Sequence, residues 1–75
     1  MLDLTPRQYE LFILIGKGYT DEQITQTMNI KPNSLKARKQ EIREILETTG
    51  MLEPRSKYRD FQPFYDFAKR YVEKG

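Results

Sequence analysis

The apolar positions of this chain recur at helical rather than strand intervals. Leu11, Leu14 and Ile15, with Phe12 beside them, keep the three- and four-residue steps that line one face of a helix. Thr5 stands before this run as an N-cap, with Pro6 at the first helical position and Gln8 at the third. That is a capping box in which the proline's missing N–H does no harm. Leu4 lies just outside, placed to staple onto the first turns, and Gly18 is the natural stop. Thr20 and Gln23 repeat the same opening for a short second helix, in which Ile24 and Met28 face one side. It ends near Asn29, a residue that tolerates the left-handed conformation.

A third helix is predicted from Pro32 to about Thr49, with Gly50 beyond it. Stepping about 100° per residue puts Leu35, Ile42, Ile45 and Leu46 on one face. Asn33, Lys36, Ala37 and Gln40 fall on the opposite one, and Arg38, Lys39 and Arg43 flank the boundary, where long side chains can snorkel outward. Residues 51–60 read as a polar, basic connection. An aromatic C-terminal segment of about 61–74 follows, with a fourth helix starting at or just before Pro63 and running to about Glu73. Its apolar stripe is Phe61, Phe64, Tyr65, Ala68, Tyr71 and Val72. Two readings of that stripe stay open: a cover for the core of the first three helices, or a partly exposed dimer or partner face. No run alternates like a strand, so the fold class is all-α, with four helices.

Composition narrows the function. A chain of 75 residues, 37% hydrophobic and 32% charged, is one small domain, 1–75, with a thin core. It has no cysteine and no histidine. Disulfides, thiolate chemistry and thiolate metal sites are excluded, and the usual general base at neutral pH is missing. Ser34 and Ser56 have no histidine to activate them, and Glu41, Glu44 and Glu47 read as a solvated helix face. The Gly16-Lys17-Gly18 triplet lacks the spacing of a phosphate loop and reads as a helix end. The expectation is no catalysis, no cofactor and no metal. The longest apolar run, Leu11 to Ile15, is far short of the ~20 residues of a membrane span, and no signal peptide is evident. A cytoplasmic protein is expected.

Net charge is only +2, but it is unevenly placed. Residues 1–30 are net acidic, while 31–43 carry Lys31, Lys36, Arg38, Lys39 and Arg43 against Glu41 alone. A directed basic surface fits this distribution, and so does a solvated helix face. The spacing of Ile24, Met28, Ile30 and Leu35 joins two helices by a short turn, a helix-turn-helix over about 20–49. A helix ~10–12 Å across fits a major groove ~12 Å wide. Asn33, Lys36, Ala37 and Gln40 would then meet base edges: the amides suit adenine, the lysine guanine and the alanine a thymine methyl. Thr20, Ser34, Arg38, Lys39 and Arg43 would meet phosphate.

From Leu4 to Leu46 the chain resembles, without a gap, the LuxR/GerE-type DNA-binding domain. The resemblance lies in Leu4-Thr5-Pro6-Arg7-Gln8, Glu10-Leu11, Leu14-Ile15, Gly18, Ile24, Met28, Ile30 and the run Pro32-Asn33-Ser34-Leu35-Lys36. It implies a four-helix domain whose third helix reads the major groove, through Lys36, Ala37 and Gln40, and whose fourth usually forms the dimer. Gln23 stands where the family generally has Glu, Thr25 where it has Ala, Lys31 at the usual Ser N-cap and Arg38 at a frequent His. The match fades after Leu46. The first expectation is therefore a dimeric transcriptional regulator on double-stranded DNA, either free-standing or the effector domain of a longer protein. The second keeps the scaffold but makes it a protein-interaction module for RNA polymerase or another regulator.

Overall fold

In a computed structural model, residues 3–52 and 61–74 are described. They form four helices and no strand: α1 (Pro6–Gly16), α2 (Asp21–Met28), α3 (Pro32–Thr48) and α4 (Gln62–Lys74). Most of the basic connection expected over 51–60, from 53 onward, lies outside the described residues.

Both expected capping boxes close. The Gln8 N–H donates to Thr5 Oγ1 at 3.2 Å, and the Thr5 N–H to Gln8 Oε1 at 3.0 Å. Thr20 and Gln23 repeat the pair at 2.9 and 3.2 Å. Each pair satisfies donors that the first turn of a helix leaves without partners. α1 ends where Gly18 turns left-handed at φ 90°, and α2 where Asn29 does so at φ 55°. Only Asn29, Ile30 and Lys31 separate α2 from α3.

The core joins Leu11, Phe12 and Ile15 of α1, Ile24 and Met28 of α2, Leu35, Ile42 and Leu46 of α3, and Phe64 and Ala68 of α4. Leu4 and Ile30 pack against its edge, whereas Ile45, assigned to the inner face, is only partly buried. α4 lies principally against α1. Phe12 is the hub of that contact, with ring centroids 6.2 Å from Phe64, 6.0 Å from Phe67 and 5.3 Å from Tyr71. These are ordinary tilted and edge-on separations for buried aromatics.

The two readings of the aromatic stripe are thereby separated. Phe64 and Ala68 are sealed inside the chain and offer nothing to a partner, which corrects their place in a dimer face. Phe61, Tyr65, Tyr71 and Val72 are partly buried. Three short helices expose an apolar face that only a fourth element can cover, so the innermost rings of α4 go to the core. No helix among the described residues is long and apolar enough to cross a membrane.

Candidate nucleic-acid interface

The outward face of α3 begins at an open helix end. Lys31 occupies the N-cap position without a side-chain cap bond, unlike the threonines that open α1 and α2. Pro32 has no N–H to satisfy, which leaves the amides of Asn33 and Ser34 without a side-chain acceptor, at the positive end of the helix dipole. Asn33, Ser34, Lys36, Ala37 and Gln40 are all exposed, as is Thr20 at the start of α2. Lys36 has no ion-pair partner among the described residues. Gln40 Nε2 donates to Glu44 Oε1 at 3.4 Å, a weak bond on an exposed face. The structure thus keeps the four expected base readers together on one solvent-facing strip. Exposed Glu41 and Glu44 follow them and confine the uncharged and cationic part of the strip to the first half of α3.

Two of the expected phosphate contacts are not on this strip. Lys39 and Arg43 are buried, with 5% and 7% of their surface exposed, and the outward snorkelling expected of them is corrected here. The stripe Leu35, Lys39, Ile42, Arg43 and Leu46 follows helical spacing on the inward face, so both cations sit among core positions. What makes this tolerable is a partner for each charge. Lys39 Nζ lies 3.2 Å from both carboxylate oxygens of Asp21 and donates to the Tyr65 hydroxyl at 2.8 Å. It also stands 5.2 Å from the centre of the Phe61 ring and 5.3 Å from that of Tyr65. Arg43 Nε pairs with Glu47 at 3.3 Å, its guanidinium 5.4 Å from the centre of the same Phe61 ring. Both distances to Phe61 suit a cation–π contact.

Arg38 is intermediate in burial. Its Nε is shielded from solvent without a hydrogen-bond partner among the described residues. The basic surface of the 31–43 segment therefore reduces to Lys31, Lys36 and part of Arg38. Lys31 was not among the sequence-derived site residues, although its place at an uncapped helix start could have marked it. Asp21 and the Tyr65 hydroxyl were missed because their partner was assigned to solvent.

Burial works against the charge on Lys39, but the hydrogen bonds to Tyr65 and Asp21, with the charges behind them, outweigh it. They hold the ammonium above its ordinary value of 10.5. A folded-state value above the unfolded one contributes stability that is fully present below pH 10.5 and lost as pH rises through the folded value. Lys39→Met is accordingly expected to flatten the alkaline limb of the stability curve. Urea unfolding of both proteins from neutral pH to above 10.5 checks this, and an identical alkaline limb would show the pairing to be absent.

Among the described residues no group of three or more aspartates or glutamates is placed to hold a metal ion. Comparison with protein-family models, curated proteins and solved structures finds no match to this chain.

Proposed function

We propose that this chain is a sequence-specific DNA-binding transcriptional regulator that reads the major groove with α3, on a helix-turn-helix of the LuxR/GerE type. The observation that carries the reading is the division of α3 into two faces. Leu35, Lys39, Ile42, Arg43 and Leu46 are turned inward, while Asn33, Lys36, Ala37 and Gln40 project together from its first half. The short turn through left-handed Asn29 braces that half against α2, and α1, α2 and α3 follow one another within the stretch Leu4 to Leu46 that carries the resemblance. Lys36 suits guanine, Gln40 and Asn33 suit adenine, and Ala37 suits a thymine methyl. Phosphate contacts fall to Thr20, Ser34, the open amides at the start of α3, Lys31 and Arg38. A homodimer on half-sites about 34–36 Å apart is the matching assembly, in the cytoplasm.

Few exposed cations lie near the reading face, so the salt response should be modest for a DNA binder. At ~0.9 per phosphate neutralised, Lys31 and Arg38 give an expected log–log slope of about −2. Fluorescence anisotropy on duplex DNA at low and moderate salt measures it. Lys36→Ala/Gln40→Ala is expected to weaken binding to a preferred duplex while leaving the slope nearly unchanged, as the loss of base contacts rather than phosphate contacts.

A second reading, an interaction module for RNA polymerase or another regulator, draws on one observation. Tyr9 on α1 is 42% exposed and meets Tyr71 of α4 edge-on at 6.4 Å, leaving aromatic surface at the α1–α4 junction. Absence of DNA binding at low salt, with salt-insensitive capture of a protein partner, would favour it.

A further inference from the structure

We infer that Asp21, Lys39 and Tyr65 form a latch that sets the rotation of α3 about its own axis, making Lys39 and Tyr65 positioning residues for base reading. This rests on the proposed DNA reading. The apolar contacts of α3 through Leu35, Ile42 and Leu46 are non-directional, and such contacts tolerate small rotations of a helix in its groove. The latch is directional. One ammonium on α3 is held by both carboxylate oxygens at the start of α2 and by a phenol on α4. Lys39 lies three residues after Lys36 and one before Gln40, so fixing its azimuth fixes theirs.

The latch also borders the reading strip. Asp21, Lys39 and Phe61 share a cleft of about 280 Å³ with Pro32, Leu35 and Lys36. α4 packs principally on α1, and Tyr65, with Phe61 just before the helix, reaches the cations in the middle of α3. On this account α4 contributes to base discrimination without approaching DNA. Lys39, expected from the sequence on phosphate, acts there through orientation.

The experiment begins by selecting a preferred duplex with the full chain from a random pool. The ratio of affinities for preferred and random duplex, and the salt slope, are then measured for wild type, Tyr65→Phe and Lys39→Met. Circular dichroism sets a temperature at which each protein is folded. Both variants are expected to lower the ratio about three- to tenfold while leaving the salt slope unchanged, because neither group meets phosphate. In the free protein, Tyr65→Phe is expected to shift the amide resonances of residues 36–40, a readout that needs no DNA.

Tyr65→Phe keeps the ring and its packing, so it carries the test even where Lys39→Met fails to fold. An unchanged ratio in folded Tyr65→Phe overturns the latch alone. A salt slope shallower by about 0.9 in Lys39→Met overturns it too, by returning Lys39 to the phosphates. Wild type that binds no duplex at low salt overturns the DNA reading itself.

Discussion

Replacing Gly16 with alanine is expected to remove about 3 kcal/mol of stability and to lower the melting temperature by about 15 °C. The reason is a close crossing of backbones. A Cβ at Gly16 would meet the Ala68 carbonyl oxygen at 2.5 Å and the Ala68 carbonyl carbon at 3.0 Å, and would collide with Val72 Cγ2 as well. The valine methyl can rotate away, but the carbonyl belongs to the α4 backbone and cannot. Relief requires α1 and α4 to separate, which loosens Phe12 from Phe64, Phe67 and Tyr71 together. Gly18→Ala is the control. Gly18 has φ +90° but nothing within 4 Å of its added Cβ, so its cost is the backbone strain of about 1 kcal/mol. Thermal unfolding of the two variants side by side decides the matter. If Gly16→Ala melts at or above Gly18→Ala, the helices do not approach as closely as described.

The two glycines also show how far local pattern reaches. Gly18 was readable because a helix stop is a local event, written in the end of an apolar stripe and the residue after it. Thr5, Thr20, Asn29 and both prolines at helix starts were readable for the same reason, and they delimit α1, α2 and the start of α3. Gly16 carries no such mark. Its requirement comes from Ala68, more than fifty positions away, and no periodicity within α1 encodes that approach.

The candidate site divides along the same line. Asn33, Lys36, Ala37 and Gln40 were placed by one helical wheel, and all four are exposed on one strip. Lys39 and Arg43 lay at the edge of that wheel, where charge alone argued for solvent. Asp21, Glu47 and the rings of Phe61 and Tyr65 supply what makes burial tolerable, and three of those four lie on other helices or at their start. A wheel of α3 cannot see them. The resulting interface is less basic than the sequence suggested, which makes the affinity of the proposed regulator depend more on base contacts and assembly than on phosphate charge.

Phe64→Ala is expected to cost about 3–5 kcal/mol, and this variant tests what α4 is for. At about 0.05–0.15 kcal/mol per residue, the 75-residue chain has only some 4–11 kcal/mol in total, so the variant should give up from about a third to all of it. Phe64 is 1% exposed and touches Phe12, Phe61 and Tyr65, and losing its ring opens a cavity between α1 and α4 that the remaining side chains only partly fill. The loss should appear equally at high and low protein concentration, because the contacts are within one chain. Tyr71→Ala supplies the comparison. Tyr71 is only partly buried at the α1–α4 junction, so its removal should cost less and fall more heavily on any self-association through that edge. Melting curves at two concentrations a hundredfold apart, with sedimentation of the same samples, separate the two roles. A Phe64→Ala protein that melts like wild type when dilute, and loses only its self-association, would move α4 out of the core and make it a dimer element. Concentration-independent unfolding instead makes α4 part of every folded monomer, and the half-exposed edge where Tyr9 meets Tyr71 is then a surface on which a dimer contact can be sought.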